Sequence, residues 1–356
     1  MTEKERVRRH INFEKTDSIP WQINCTSELA GRYMRELGLE EKQCTVRGKN
    51  VYRFTPLDDY FGNHLALLRN RAVDSVQEIR PGFFRDEWGV VWDRRIDKDI
   101  GNPICELLDD MDLSKLEVPD PLDPRRFAHF EPLIRAHAHR HIIVKFSYSL
   151  FERAWAIRGM QNLMMDFIQN PSFVHDLFSL ITEFNLTLLR HCGTYPIDAV
   201  YFGDDWGGQR GLLMSPDTWR TFIKPCLERM YAQAHSQGYD VFIHSCGNIS
   251  VLLDDLVEIG LNVFNPFQPE VMDIEEVMER FAGRLAYYGS ISIQQTLPFG
   301  TPEVVRKEVR HRLELARRYG GLIPSPSHDM PPDIPLENTR AMLETLRSQE
   351  AVFRSA

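Results

Sequence analysis

From His141 onward the chain alternates six times between a short apolar, β-rich run and a helical pattern, and this rhythm restricts the fold more than any other feature of its 356 residues. "HIIVKFSYS" (141–149) opens the series, and after Asn170 and Pro171 the helical pattern "SFVHDLFSLITEFNLTLLRHCG" runs to Gly193. "DAVYFGDD" reads as the next strand. "SPDTWRTFIKPCLERMYAQAHSQG" reads as the next helix, with Ser215 as N-cap, Pro216 at the first helical position and Gly238 just past the end. The strands "YDVFIHS", "LNVFNP", "RLAYYGS" and "GLIPS" then alternate with the helices "ISVLLDDLVEIG", "IEEVMERFAG", "PEVVRKEVRHRLELARRYG" and "LENTRAMLETLRS".

Parallel strands need crossover connections, and right-handed βα crossovers stack in one direction, so the alternation predicts a parallel sheet covered by helices. Two earlier runs, "SIPWQIN" (18–24) and "NVYRFTP" (50–56), bring the strand count to eight. The expected fold is an α/β (β/α)8 TIM barrel. An open doubly wound sheet is the second choice, disfavoured because no GxGxxG turn follows any strand. "FFRDEWGVVWDRRI", about 83–97, reads as an inserted β-hairpin turning at "EWG", and the charged start of the chain as an N-terminal extension. No Pro/Gly-rich linker divides the chain, so residues 1–356 are expected to form one domain.

Composition removes several functional classes. A net charge of −9, with no long Lys/Arg run, argues against a nucleic-acid partner; "RVRRH" near the start reads as a solvated helix end. No stretch of 18 apolar residues suggests a membrane span, and the charged start is unlike a signal peptide, so a soluble cytoplasmic protein is expected. Of the six cysteines, Cys25, Cys44, Cys105, Cys192 and Cys226 read as small buried hydrophobes kept reduced.

Cys246 is different. In "VFIHSCGN" (241–248) a strand ends on His244 and Cys246, which share a face because side chains alternate along a strand. At the C-terminal end of a barrel strand that face looks into the mouth, where the chemistry of this fold is located. The loop "GLIPSPSHDMPPDIP" after the last strand carries His328 in a proline-rich setting that can reach the same mouth. Imidazole, thiolate and imidazole make three zinc ligands with the fourth position open, which is the pattern of a catalytic zinc rather than a closed structural one.

Four stretches, "HSCGN", "FNPFQPE", "YYGSISIQQTLPFGTPEVV" and "SHDMPPDIPLENTRAM", together resemble the uroporphyrinogen decarboxylase superfamily over roughly residues 140 to 347. The closer likeness is to its zinc-dependent, corrinoid-linked methyltransferase branch. That resemblance implies zinc on His244 and Cys246, with the third ligand, usually a cysteine in a "GCxIPPDTP"-like loop, falling on His328. The decarboxylases carry an arginine-rich motif near the first strand that binds substrate carboxylates. Here "QINCTSELAGRYM" keeps Arg32 and lacks the first arginine, which places cofactor-free decarboxylation second. Histidine in place of a thiolate leaves zinc about one formal charge more positive, hence a stronger Lewis acid toward oxygen.

The resulting expectation is an O-demethylase-type methyltransferase that moves methyl from a methoxylated, aromatic substrate to the cobalt of a corrinoid protein. No DxHxxG corrinoid-binding signature occurs in the chain, so the corrinoid is expected on a separate partner that docks over the mouth. The "DEWGVVWDR" hairpin either helps form that docking surface or caps the other end. A thiol methyl acceptor and a non-catalytic barrel stand as further alternatives.

Around this centre, Asp204 and Asp205 in "YFGDDWGGQRG" and Glu152 in "LFERAW" are candidate acids or ligands, each with a structural role as the competing reading. Tyr148, Phe151, Trp155 and Trp206 are candidate aromatic walls, or packing residues. Gln268 is a candidate for orienting a bound oxygen, and Asp329 for orienting His328.

Overall fold

The computed structural model describes residues 1–40, 42–46, 49–54, 56–72, 74–96, 98, 101–104 and 107–349. Seven strands lie side by side in chain order: Leu65–Arg69, His141–Phe146, Ala199–Gly203, Asp240–His244, Val263–Phe267, Ala286–Ile291 and Leu322–Pro326. Every neighbouring pair is parallel. This is the curled sheet of a TIM-like barrel, and the six βα units from His141 onward fall where the alternation predicts them.

Both faces of the strands are covered, which is why they read as nearly continuous apolar runs. Ile143, Ala199, Tyr201, Phe242 and Ile323 point into the barrel, whereas Ile142, Val144, Val200, Phe202 and Val241 pack outward against the helices. The N-terminal helix Glu3–Ile11, capped by Thr2, buries Val7 and Ile11 in the inner cluster. His10 fixes that helix by a 2.7 Å bond to the Leu322 carbonyl. "RVRRH" is therefore solvated on one side only, with Arg8 exposed and Val7 and His10 buried.

Two of the eight expected strands are corrected. "NVYRFTP" alternates like a barrel strand, but Lys49–Phe54 pairs antiparallel with Lys42–Val46 in a separate hairpin, and position 55 lies outside the described residues. The barrel position belongs instead to Leu65–Arg69. The 18–24 run forms no ladder strand, yet it occupies the gap between the first and last strands. Its carbonyl at Trp21 accepts from His64 N–H (3.2 Å), and Gln22 N–H donates to the Pro324 carbonyl (3.3 Å). Side-chain amides make the remaining links: Asn63 Oδ1 accepts from Ile23 N–H (2.8 Å), and Gln22 Oε1 from Leu65 N–H (3.0 Å). A single bridge, Cys25 to Met330, continues the seam.

The inserted hairpin is the centre of a four-stranded antiparallel sheet made of Gln77–Arg80, Phe83–Arg85, Val91–Asp93 and Asn102–Pro103; position 97 lies outside the described residues. Asp86 organises the turn: Oδ1 accepts from Trp88 N–H (2.9 Å) and Val90 N–H (3.0 Å), and Oδ2 from the Trp92 indole (3.0 Å). Trp88, Trp92 and Arg94 line the same cavity as His244, so the sheet covers the mouth of the barrel, not its other end. Among the described residues no helix is long and apolar enough to cross a membrane.

Candidate metal centre

"HSCGN" ends a strand because it turns inside a frame built by the neighbouring loops. Ser245 N–H donates to the Asn265 carbonyl (2.8 Å), Cys246 N–H to Asp205 Oδ1 (2.8 Å), Gly247 N–H to Gln268 Oε1 (2.7 Å) and Asn248 N–H to the Gly208 carbonyl (2.9 Å). Every N–H from 245 to 248 thus has a partner, as a buried turn requires. Gly247 sits at φ +82°, and a Cβ there would lie 2.5 Å from the Gly207 carbonyl carbon, so no other residue fits without displacing backbone.

His328 arrives on a loop that is held from both sides. Met330 N–H donates to the Asn24 carbonyl (2.9 Å), and Thr26 N–H to the Met330 carbonyl (3.1 Å). Arg32 clamps the loop further on, donating to the carbonyls of Pro332 (2.7 Å) and Ile334 (2.5 Å). The arginine retained from the decarboxylase-like motif is therefore engaged in positioning this loop.

One donor atom from each of His244, Cys246 and His328 lies within 4.8 Å of the others. Cys246 Sγ is 3.3 Å from His244 Nε2, and the two imidazole rings meet edge to face at 5.3 Å. Asn265 Oδ1 lies 2.6 Å from His244 Nδ1, and its amide nitrogen donates to the Tyr288 carbonyl (2.8 Å), which fixes the amide's orientation. Asn265 therefore accepts the Nδ1 proton and leaves the Nε2 lone pair facing Cys246. Burial lowers the His244 pKa to about 4, so this imidazole is neutral near pH 7, the form that ligates. The Cys246 thiol is pushed well up by burial and then by the carboxylates of Asp205 and Glu152. A thiolate there needs a cation among the three donors, so the donor set fits a zinc ion. Replacing Asn265 with Ala should weaken zinc binding about 10- to 100-fold, as read by competition with a chromogenic chelator.

Two connected chambers open from the triad, one of about 240 Å³ and one of about 720 Å³, and both are lined by His244, His328, Lys145, Arg69, Asp329 and Cys25. Cys25 is thus a wall residue, not core; Cys192 is buried and Cys226 half-buried, whereas the side chains of Cys44 and Cys105 lie outside the described residues.

The remaining expected residues divide sharply. Asp205, Glu152 and Tyr148 line the larger chamber. Tyr148, at φ +53°, places its ring 5.1 Å from that of Trp92. Burial, then the proximity of Asp205 and Asp204, holds the Glu152 carboxyl well above its ordinary range. Asp204 is fully buried and turned away, accepting from three backbone N–H groups and the Trp206 indole. Phe151 and Trp206 are fully buried in the hydrophobic core, Trp155 packs against that core, and none of the three lines either chamber. Gln268 supports the Gly247 turn from behind. Asp329 faces both chambers, and among the described residues no hydrogen bond joins it to the His328 ring.

Sequence reasoning missed Lys145, Tyr201 and Asn265. Lys145 carried a signal, as the single charge inside the apolar run "IIVKF". Tyr201 and Asn265 carried none, because each lies inside a strand that reads as core.

Fold and site together define a barrel with a prospective metal centre at the C-terminal ends of its strands. The chain belongs to the uroporphyrinogen decarboxylase (URO-D) family, whose profile matches residues 97–349. It is 29% identical over 132 residues to a methylcobamide:CoM methyltransferase of Methanosarcina barkeri, covering 37% of this chain and 36% of that protein. It is 24% identical over 189 residues to the uroporphyrinogen decarboxylase of Methylococcus capsulatus, covering 52% and 51%. The chain thus spans about a third to a half of the length of the curated relatives it matches. A solved methyltransferase from Methanosarcina mazei superposes with a TM-score of 0.75 at 17% identity over 98% of both chains, a likeness of fold.

Proposed function

We propose that this protein is a zinc-dependent methyltransferase of the O-demethylase type. It transfers the methyl group of a methoxylated aromatic substrate to the cobalt of a corrinoid carried by a separate protein. The carrying observation is the convergence of His244, Cys246 and His328 on a chamber walled by Tyr148 and Trp92. Held by these three donors, zinc would supply Lewis acidity toward the ether oxygen, strengthened by having one thiolate instead of two. The C–O bond would break as the methyl group passes to the electron pair of the partner's cobalt(I) to form a Co–C bond, and the oxygen would keep the C–O pair and require a proton. Glu152, whose carboxyl burial holds well above its ordinary range, is the residue we assign to that proton. The Tyr148 and Trp92 rings orient an aromatic substrate by stacking. Arg32, bound to the His328 loop, is unavailable to a tetrapyrrole carboxylate, which supports methyl transfer over decarboxylation.

The test is transfer of methyl from methoxyarenes to cob(I)alamin by the zinc-loaded protein, followed spectroscopically as methylcobalamin appears. Turnover that disappears on zinc chelation and returns on zinc addition is expected. Methylation of 2-mercaptoethanesulfonate from methylcobalamin, with no reaction of any methoxyarene, would replace the ether reading with a thiol-acceptor reading.

A further inference from the structure

The larger chamber is cationic although the chain is acidic overall. Seven Lys and Arg side chains line it against five carboxyl groups, in a protein of net charge −9. Two of the seven are matched locally, Arg126 by Glu87 at 2.8 Å and Arg153 by Asp86 at 2.7 Å. Two others behave differently. Arg69 and Lys145 are register partners across the first two barrel strands, at the strand ends that face the mouth, and both line both chambers beside His244 and His328. Among the described residues neither side chain makes a hydrogen bond or an ion pair, although the Arg69 carbonyl accepts from His129 Nε2 at 2.8 Å. The nearest stabilising contact of Lys145 is the face of the Tyr201 ring, 5.3 Å from Nζ.

An ammonium half-buried without a bonded anion is costly, and burial lowers the Lys145 pKa. The carboxyl groups that act on Lys145 are those of Asp329, Glu152 and Asp205. None of the three makes an ion pair with Lys145, and Asp205 accepts the Cys246 N–H. Arg69 adds repulsion from the adjoining strand. The two side chains thus have no bonded carboxylate among the described residues, and Asp329 acts on Lys145 only from a distance.

We propose that Arg69 and Lys145 form a subsite for a carboxylate group on the substrate, which fixes the substrate's far end while its reacting group lies at the His244–Cys246–His328 triad. Two cationic side chains rising in register from neighbouring strands match a planar group with two oxygens, one for each donor. A monoanion suits the site better than a phosphate dianion, because Asp329 and Asp205 face the same space. With the proposed methyl transfer, on which this assignment rests, the substrate class becomes methoxylated aromatic carboxylic acids. The subsite is separate from Arg32, the residue inherited from the decarboxylase-like motif.

Calorimetric titration of the zinc-loaded protein with para-methoxybenzoate and para-methoxybenzamide tests the subsite without requiring turnover. The acid should bind about tenfold or more tightly than the amide. Lys145→Met and Arg69→Met should each weaken the acid about tenfold while leaving the amide within about twofold. Arg69 is solvent-exposed, so its variant reports even where the Lys145 variant fails to fold. Equal binding of acid and amide, or acid binding unchanged in Arg69→Met, overturns the subsite. Tighter, cation-dependent binding of 2-mercaptoethanesulfonate also overturns it, by assigning the pocket to a sulfonate. Cation-dependent binding of para-methoxybenzoate with no methyl transfer to cob(I)alamin upholds the subsite and removes the methyltransferase reading instead.

Discussion

Cys246→Ser, purified beside the wild type from zinc-supplemented cells, is expected to contain almost no zinc and to lose on the order of a thousandfold in zinc affinity. The thiolate is the one anionic donor in the set, and a serine hydroxyl stays protonated and holds zinc poorly. Folding should survive, because the Cys246 contribution to the turn is its backbone N–H on Asp205, which the substitution retains. Elemental analysis gives the stoichiometry and far-ultraviolet dichroism checks the fold. Wild-type zinc content in the variant would show that the metal lies elsewhere and would dismantle the proposed centre.

Asp204→Ala should be destabilised by about 4 kcal/mol, measured by urea unfolding, since each buried donor left unsatisfied costs about 1–3 kcal/mol. Asp204 Oδ1 accepts from Leu150 N–H (3.3 Å) and Glu152 N–H (2.8 Å), and Oδ2 from Phe151 N–H (3.0 Å) and the Trp206 indole (2.6 Å). The helix Phe151–Arg158 has no capping side chain of its own, so Asp204 reaches across from the next strand end to cap it. Glu152 is carried on that first turn and owes its position to the same carboxylate. A variant that unfolds at the wild-type urea concentration yet lacks activity would return Asp204 to the chemistry.

These two residues show what the sequence could and could not reveal. "HSCGN" and "SHDMPP" stood out because few residue types can ligate a metal, strand alternation placed His244 and Cys246 on one face, and the structure brings His328 beside them. "FGDDW" was not legible in the same way. Adjacent carboxylates diverge, and whether Asp204 or Asp205 faces the chamber depends on the neighbouring helix that requires a cap. Phe151 and Trp206 had the composition of a substrate wall and became core, whereas Trp92 reached the wall from an insertion whose docking side no local pattern encodes. The repeating strands could be read because burial on both faces leaves a strong apolar signature. "LALLR" is short and equally compatible with a helix, and the better-patterned "NVYRF" pairs with its own neighbour instead.

The seam between the first and last barrel strands carries a consequence for assembly of the centre. It is closed by Gln22 on Pro324 and by Asn24 and Thr26 on Met330, with Asn63 bracing Ile23, and Gln349 bonds back to Ile19 through both its amide atoms. The His328 loop hangs on that seam. The three donors of the proposed centre therefore come together only once the ring is closed, because His328 is held by a seam that joins the two ends of the barrel sequence.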